Sequence, residues 1–442
     1  MRGGLVRSLP RSITGLKTGT IRQLDAILGT VLCFLLTVWR RVADTLRPMD
    51  LRAPPRRVVF IKLIEQGATV LAAPAIRRAI RRVGRENVYF CVFTENRPIL
   101  DLLDLVAPEN VIPIRSHGLV PFALDTLRGL RQLRRAGVDA AIDLEFMARA
   151  PAVLAYLTGA RLRVGLHRFT AEAPYRGDLM THRVQYNPYL HTAEAYALLV
   201  DALDCDPTDA PLPKVTLRRA DEALPKFNPR AEEVAHVHGL LEGLAGRPVA
   251  RPIVVINPNT GDVIPLRMWP AERFVELGRQ ILARRPEATV VVTGLATEHA
   301  GAEDVCRRIG SDRAVCVAGM TTLRELVTLY TQADVLVASD SGPGHFAALT
   351  DIDAVVLFGP ETPALFSPRG GRAEVLWAGL ACSPCVNPYN HRFSACTRNA
   401  CMDAHTVEAV LAATEARLDA RAARDALADA PVNGAATGER AP

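Results

Sequence analysis

The stretch DVLVASDSGPGHFAAL, residues Asp334–Leu349, decides the fold that this sequence predicts. Its first half is a short apolar run, which is typical of a strand buried in a parallel sheet. An acid, a hydroxyl, two glycines and a histidine follow, and the chain then continues into FAAL, which has a helical pattern. Loops at the carboxyl ends of strands are where open α/β sheets bind ligands. The stretch therefore predicts a strand, a ligand-binding loop and a helix.

The same alternation of strand and helix extends on both sides of this stretch. Strands alternating with helical patterns of about 10–15 residues predict βαβ units and a parallel sheet. Strand-like runs occupy residues 56–64, 87–93, 110–114 and 138–144, and again 252–258, 288–294, 313–319, 334–340 and 354–360. The fold class is therefore α/β, with two Rossmann-like lobes facing across a cleft.

Composition sets the domain boundaries. The predicted segments are an N-terminal segment 1–55, a first lobe 56–215, a proline- and charge-rich linker 216–251, a second lobe 252–418 and a tail 419–442. The tail is rich in Ala, Asp, Arg and Gly, a composition that predicts disorder.

The net charge of the chain is concentrated at its start. The whole chain has a net charge of +6, and residues 1–52 alone hold nine basic and three acidic residues. A neutral body excludes a broad nucleic-acid-binding surface, whereas a basic end favours an anionic membrane surface. The apolar stretch Ala26–Trp39 has 14 residues, fewer than the roughly 20 that span a bilayer. We expect an amphipathic helix in the membrane interface; a packed structural helix and a true anchor remain alternatives.

Polar residues follow four strands of the second lobe and predict a continuous binding rim. Asn257 begins one strand end, and Asp340 could accept hydrogen bonds from sugar hydroxyls. Ser341 and Gly342 could present backbone N–H groups to a phosphate at a helix start, and Arg267 is the cation for a diphosphate. Alternatively, Asp340 or Ser341 only caps the helix. The four strand ends are NPNTG (257–261), TGLATE (293–298), SDSGPGH (339–345) and FGPETP (358–363).

The sequence resembles the heptosyltransferase-like glycosyltransferases of family 9, which have the GT-B fold of two facing Rossmann-like lobes. The resemblance covers residues 58–412, and its most specific part is DSGPGHFAALTDIDAVVLFGPETPALFSP. RMWP at Arg267–Pro270 stands where the family has Lys-x-Trp/Leu-Pro. It implies that Arg267 contacts the donor phosphates, Glu298 the ribose, and Asp340 with Ser341 and Gly342 the sugar diphosphate. His345 either supports this loop or only packs beneath it.

One departure from the family lies in the glycine turn after the first strand. Members with heptose-transfer activity have Gly-Asp there, and the Asp is the general base; here Gly67 is kept but Ala68 replaces the acid. Inverting transfer needs a group that takes the acceptor's proton, so Glu65 is the candidate base. Alternatives are a turn-capping role for Glu65, Asp143 or Glu145 as the base, or no activity.

The acceptor side is predicted from a basic cluster of the first lobe. Gly67, Arg168 and Arg176 are its candidate residues, and the cluster, within LRVGLHRF (162–169) and beyond, could meet a phosphorylated acceptor sugar. The alternative is a solvated loop.

Four cysteines near the C-terminus have spacings that could hold a zinc ion. The alternative is free or locally packed thiols, and the predicted catalysis requires no cofactor. These residues are Cys382, Cys385, Cys396 and Cys401.

The resemblance implies an enzyme at the cytoplasmic face of the inner membrane, attached peripherally. It would move a sugar, with ADP-heptose as co-substrate, to a lipopolysaccharide-type or other lipid-linked saccharide. A catalytically silent sugar-nucleotide-binding protein and a GT-B epimerase or phosphorylase are the alternatives.

Overall fold

Two parallel sheets form the body of the protein. The structure is a computed structural model and describes residues 25–46, 49–171, 173–217, 223–261, 264–390 and 392–428. Each sheet has six strands, in the orders β3-β2-β1-β4-β5-β6 and β12-β11-β10-β7-β8-β9. The strands are β1 (Val58–Ile61), β2 (Val88–Phe93), β3 (Val111–Ile114), β4 (Ala140–Asp143), β5 (Leu162–Leu166), β6 (His182–Val184), β7 (Ile253–Asn257), β8 (Thr289–Val292), β9 (Ala314–Cys316), β10 (Val335–Ser339), β11 (Asp353–Phe358) and β12 (Ala373–Trp377).

The two sheets share one topology. In each, the first and fourth strands are neighbours and all named pairs are parallel, as in β1 with β4 and β7 with β10. The strand order reverses at that point, and open α/β sheets bind ligands in the crevice at the carboxyl ends there. The predicted α/β fold with two Rossmann-like lobes is confirmed.

Helices cover both faces of each sheet. Those of the first lobe are α2 (Gln66–Leu71), α3 (Ala73–Val83), α4 (Arg97–Leu103), α5 (Leu119–Arg135), α6 (Arg149–Leu157) and α7 (Thr192–Asp201), after an N-terminal helix α1 (Asp25–Leu46). Those after the first lobe are α8 (Ala231–Ala245), α9 (Ala271–Arg284), α10 (His299–Ile309), α11 (Leu323–Gln332), α12 (Gly342–Ala347), α13 (Pro363–Phe366), α14 (Ala400–Asp403) and α15 (Val407–Ala428).

The predicted linker contains a helix that belongs to the second lobe. Val237 and Leu241 of α8 are buried in the same apolar cluster as Val255 and Leu336 of the second sheet. Helix α8 therefore packs as part of the second lobe, as do the buried Leu224 and Phe227 before it.

The predicted disorder after residue 418 is wrong as far as Ala428. Helix α15 continues through this region, where Arg424 forms an ion pair with the buried Asp353 and Arg421 donates to the carbonyl of Asp351 at 2.7 Å. Composition missed the helix because its Ala-rich, charged sequence is anchored by ion pairs rather than by a wide apolar stripe. Residues 429–442 lie outside the described part of the chain.

The basic cluster that we expected on the acceptor side is largely a strand. Residues 162–166 form β5 and are buried throughout. Arg163 interrupts their apolar pattern but donates to the carbonyls of Leu179 at 2.7 Å and Ala160 at 2.6 Å. Neither a solvated loop nor an open basic surface describes this segment.

Helix α1 packs lengthwise on the first lobe. Asp25 accepts hydrogen bonds from the backbone N–H groups of Arg149 and Ala150, both at 3.2 Å, at the start of α6. Further along, the hydroxyl of Thr37 accepts from the N–H of Asp178 at 2.8 Å, and Arg40 pairs with Asp178 at 2.6 Å. The helix is longer than the 14-residue stretch suggested. It is long and apolar enough to cross a membrane, a criterion that core helices also meet.

Candidate active site

The polar rim predicted at the second sheet exists, and β7 supplies its centre. The amide of Asn257 donates to the hydroxyl of Thr293 at 3.1 Å, and its carbonyl oxygen accepts from the N–H of Asn259 at the same distance. Asn257 thus orders the loop that follows β7. Asn259 and Thr260 come next along that loop, where their side chains lie at the rim.

Arg267 lies over the rim between two acids. Its guanidinium Nη1 is 3.5 Å from Glu361 and 3.7 Å from Asp340, and Nη2 is 3.4 Å from the carbonyl of Thr260. These contacts are longer than the optimum for N–H···O hydrogen bonds. Trp269 anchors the segment, because its indole is fully buried and donates to the carbonyl of His405 at 2.9 Å. Arg267 is therefore held in place, but its guanidinium makes no short hydrogen bond and can still donate to a ligand.

Asp340 and Glu361 form a buried carboxyl pair at the ends of the adjacent strands β10 and β11. Burial raises the pKa of both groups, and the negative charge of Asp340 adds to the rise for Glu361, whose pKa lies well above its usual range. Two close carboxyl groups away from water cannot both ionise at low cost. Burial and mutual repulsion therefore make at least one of the two carboxyl groups harder to ionise than a solvent-exposed acid.

The start of helix α12 is not capped by either side chain of the SDSGPGH loop. Ser341 is in an extended conformation, and its hydroxyl donates to the carbonyl of Ser339 at 2.9 Å instead of accepting from the helix. Asp340 faces Arg267. The alternative that these residues only cap the helix does not describe the structure, and the phosphate-binding role of Ser341 and Gly342 stays a prediction.

His345 of α12 marks the place where the two lobes meet. A Cβ atom on Gly67 would lie 2.6 Å from Cδ2 of His345, so only glycine permits this approach. Burial lowers the pKa of His345 to about 3, so the imidazole is neutral. The packing role that we left open for His345 is present, and its ring also lies directly beside the candidate acceptor turn.

Glu65 lies at the lobe interface, immediately before helix α2. Its backbone is left-handed, with φ of 70°, and its carboxylate pairs with Arg392 of the C-terminal segment. The second oxygen is 3.2 Å from the amino group of Lys62. The side chain is 20% exposed. Glu65 is thus both reachable and oriented by two cations, and it makes no side-chain cap on α2.

The two alternative bases are occupied elsewhere. Glu145 pairs with the fully buried Lys62 at 2.9 Å and accepts from the N–H groups of Leu63 at 2.7 Å and Ile64 at 3.1 Å. Asp143 is fully buried and pairs with Arg176, and burial raises its pKa to about 6. Both acids hold the turn, so Glu65 is the one of the three that reaches the cleft.

The remaining predicted residues, Arg176, Arg168 and Glu298, lie away from the place where Glu65 and Glu361 approach each other. Arg176 is buried and donates to the carbonyls of Ala148 at 2.7 Å and Leu166 at 2.8 Å, which makes it part of the first lobe's framework. Arg168 is exposed, and its Nε donates to the carbonyl of Thr170 at 3.1 Å. Glu298, after β8, is half-buried and accepts from the N–H of Leu295 at 2.8 Å. It lies at the opposite end of the rim from Glu361.

The four cysteines of the C-terminal segment are free thiols. Cys385 contacts the hydroxyl of Ser394 at 3.2 Å, and Cys401 contacts the side chain of Asn399 at 3.5 Å. Among the described residues, no group of three or more His, Cys, Asp or Glu side chains could hold a metal ion. His391, which the spacing brings near these thiols, lies outside the described residues.

Two residues of the site were missed by the sequence reasoning. Glu361 had a weak signal, because FGPETP places an acid in one of the four polar strand ends. Arg392 had none, since nothing near it in sequence indicates that it pairs with Glu65.

Unpartnered polar atoms concentrate at this rim. Buried polar groups in folded proteins are nearly always hydrogen-bonded, so a cluster of such atoms marks a place that suits a polar ligand. The rim atoms that are buried and without a hydrogen-bond partner are Asn259 Nδ2, Thr260 Oγ1, Arg267 Nε, Asp340 Oδ2, His345 Nδ1 and Glu361 Oε1. They include donors, acceptors and a cation, the set that a sugar diphosphate requires.

Residues 126–392 match the family model of glycosyltransferase family 9 (heptosyltransferase). The chain belongs to this family. The matched range contains the whole rim and its three cleft-side charges Arg267, Glu361 and Arg392, but begins after Glu65. The predicted family is thereby confirmed.

Curated relatives from this family match one part of the chain. Lipopolysaccharide heptosyltransferase 2 of Salmonella typhimurium is 30% identical over 129 residues, and its counterpart in Escherichia coli is 29% identical over the same length. The match covers 28% of this chain, and the chain spans about a third (36%) of the length of these relatives.

Solved structures match over a much longer range. Heptosyltransferase II of E. coli superimposes with a TM-score of 0.61 at 19% identity, covering 84% of this chain and 99% of that structure. A family 9 glycosyltransferase from Veillonella parvula gives a TM-score of 0.63 at 17% identity, covering 84% and 99%. At these identities the similarity shows the fold, which is the two-lobed GT-B arrangement.

Proposed function

We propose that this family 9 protein is an inverting glycosyltransferase. The second lobe binds a nucleotide diphosphate sugar, and the first lobe presents a saccharide acceptor. The observation that carries the proposal is the cluster of six unpartnered buried polar atoms at the rim, which lies across the lobe interface from Glu65. Relatives named lipopolysaccharide heptosyltransferase support heptose as the transferred sugar and a lipopolysaccharide-type, lipid-linked saccharide as the acceptor, and the structurally similar E. coli ADP-heptose lipopolysaccharide heptosyltransferase II supports ADP-heptose as the donor.

The charges at the interface suit this reaction. The acceptor hydroxyl attacks the anomeric carbon while its proton passes to a carboxylate, and the bond from that carbon to the diphosphate oxygen breaks. Glu65 is the carboxylate at the cleft, and Arg267 is the cation that balances the leaving diphosphate. In the structure Arg392 pairs with Glu65. The acceptor must therefore take over part of the space near this ion pair before the proton can be transferred.

The donor is tested by calorimetry on the full chain with ADP-heptose, ADP-glucose and UDP-N-acetylglucosamine. We expect ADP-heptose to bind most tightly and to be consumed when a lipopolysaccharide core acceptor that lacks the heptose is added. Binding without turnover on any acceptor would favour the catalytically silent alternative. Formation of a sugar phosphate or of an epimerised sugar rather than a glycoside would favour a phosphorylase or an epimerase.

We further propose that helix α1 attaches the protein peripherally to the cytoplasmic face of the inner membrane. One side of the helix packs on the first lobe, where Cys33 is fully buried. A helix that lies along a lobe for its whole length cannot also cross a bilayer in that state. Its opposite side exposes ten large apolar side chains, namely Ile27, Leu28, Val31, Leu32, Phe34, Leu35, Val38, Trp39, Val42 and Leu46.

A lipid surface is the occupant that this exposed side fits best. An apolar helix face with Trp39 and the exposed Arg41 at one end has the composition of an interfacial helix. Vesicle sedimentation with the full chain tests this. Replacing Phe34 and Leu35 with Ser should release the protein from anionic vesicles, whereas replacing the buried Cys33 with Ser should not. Resistance of the wild-type protein to both salt and carbonate washing would show a spanning segment instead.

A further inference from the structure

We propose that Glu361 determines donor specificity, its carboxyl group binding hydroxyl groups of the transferred sugar beside Asp340. This inference rests on the proposed function. Glu361 follows the end of β11 within FGPETP, residues 358–363.

The strand order of the second sheet fixes the order of the rim residues from one end of the rim to the other. Along the carboxyl edge of the second sheet the strands run β8, β7, β10, β11. Glu298 follows β8, Asn259 and Thr260 follow β7, Asp340 follows β10, and Glu361 follows β11. A donor whose nucleoside lies at the β8 end and whose diphosphate lies over the middle of the rim extends its sugar to the β10–β11 end. Glu361 lies there.

The far end of the rim also contains the reacting groups. Arg392 pairs with Glu65 on the first lobe, and its Nε is 3.8 Å from Oε1 of Glu361 on the second. The candidate base and Glu361 therefore flank one guanidinium. A sugar placed beside Glu361 has its anomeric carbon near the point where an acceptor oxygen can arrive.

The carboxyl pair has free hydrogen-bonding capacity. Glu361 is 3% exposed, and apart from the bond that the two carboxyl groups share, its Oε1 and Oδ2 of Asp340 are buried and accept no hydrogen bond from another group. A buried acceptor left unpaired is costly. Hydroxyl groups, which both donate and accept, satisfy such atoms, whereas phosphate oxygens, which only accept, would repel them. The pair therefore selects the sugar and not the diphosphate.

The charge of the site likewise favours the sugar beside the carboxyl pair and the diphosphate beside Arg267. Arg267 is 3.5 Å from Glu361, too far for a strong bond, and its Nε is unpartnered. When one proton is shared between Asp340 and Glu361, the pair bears a single negative charge, and Arg267 can turn its N–H groups to the incoming phosphates. A carboxylate that served only to hold Arg267 would instead affect every ligand that contains the diphosphate.

The inference is tested by calorimetry with two probes, ADP and ADP-heptose, on the full chain. Glu361→Gln and Glu361→Thr are compared with Glu415→Gln, a control acid that pairs with Arg285 at 2.6 Å on the same lobe. For both Glu361 variants we expect a loss of about ten- to a hundredfold in ADP-heptose affinity, with ADP affinity changed less than about threefold. The control should match wild type for both probes.

A set of monodeoxy ADP-heptose analogues adds a test on the wild-type protein, whose result does not depend on whether a variant folds. Wild type should lose affinity for at least one analogue, and Glu361→Gln should not distinguish that analogue from ADP-heptose. Equal loss of ADP and ADP-heptose in the variants, or no loss of either, overturns the role of Glu361 while leaving the proposed function intact. A wild-type protein that binds neither probe overturns the proposed function and, with it, this inference.

Discussion

The carboxyl edges of the two sheets differ in how their buried charges are satisfied. In the first lobe, Lys62 pairs with Glu145, and Asp143 pairs with Arg176, so the charges behind the glycine turn neutralise one another. In the second lobe, Arg267 lies at 3.5 Å or more from its acids, and six polar atoms at the rim have no partner. The same topology thus supports one edge whose buried acids pair closely with cations and one whose cation stays at a longer distance from its two acids.

This difference implies that substitutions at the two edges fail in different ways. Changes at the first edge should affect stability or the chemical step, whereas changes at the second should affect binding.

The largest effect should come from Glu65, the residue of the first edge that reaches the cleft. Loss of a general base costs about 10²–10⁴-fold in rate. We therefore expect Glu65→Gln to lower kcat on that scale with donor affinity near wild type, measured by steady-state transfer and calorimetry. Glu95→Gln, which changes a loop acid of the same lobe that contacts His117 at 2.9 Å, is the control.

Restoring the family's arrangement sharpens this test. Ala68→Asp in the Glu65→Gln background should recover part of the lost rate, because it places an acid beside Gly67. Normal turnover of Glu65→Gln would show that the base lies elsewhere.

Lys62 should give the largest stability effect. It is fully buried between Glu145 and Glu65, and burial lowers its pKa while Glu145 opposes that shift. Removing one partner of a buried pair costs about 3–5 kcal/mol, so Lys62→Met should lower the free energy of unfolding in urea by that amount.

The control for Lys62 is a lysine on the other lobe. Lys226 pairs with Asp351 at 3.0 Å, and both side chains are largely exposed. Lys226→Met should cost less than about 1 kcal/mol. Similar losses for the two variants would show that the first edge is not a buried charge network.

Replacing Arg267 should weaken ligand binding and leave stability nearly unchanged, unlike the replacement of Lys62. Arg267→Ala should weaken binding of ADP and of ADP-heptose by about 1.5–3 kcal/mol, the range for hydrogen bonds to charged groups. Its stability should change little, because its contacts to Asp340 and Glu361 are long and those acids can take up a proton. Calorimetry and urea unfolding on one preparation test both parts; unchanged ADP affinity would remove Arg267 from the diphosphate site.

The smallest effect should be a pH dependence caused by His345. Its pKa is lowered to about 3 in the folded protein by burial. The unfolded chain therefore binds a proton below about pH 6.5 that the folded protein does not, so this residue makes stability fall as pH decreases. Between pH 6.5 and pH 5 its contribution is about 1.5 kcal/mol.

The carboxyl pair contributes with the opposite sign, since its raised pKa values favour the folded state at low pH. The effect of His345 is therefore measured as the difference between wild type and His345→Asn in urea unfolding at each pH. A difference that does not change with pH would mean that the histidine titrates normally.

Much of the fold could be predicted because parallel strands are buried on both faces and read as apolar runs, as β1 and β10 do. Strand β5 could not be predicted, since Arg163 breaks its pattern, and its charge is satisfied only by carbonyls brought near by folding. The rim positions could be predicted from the strand ends. The pairings of Glu361 with Asp340 and of Arg392 with Glu65 could not, because they join residues distant in sequence and no periodicity encodes them.

The contact between Gly67 and His345 also bears on the timing of a reaction cycle. Because Gly67 has no Cβ, helix α2, which follows Glu65, packs directly against helix α12 at His345 and Gly342. Any rotation of one lobe away from the other to admit substrate or discharge product must separate these two surfaces or turn about them. A methyl group at Gly67 would push this contact apart, so we expect Gly67→Ala to move Glu65 away from the rim of the second lobe and to slow turnover even with both substrates bound.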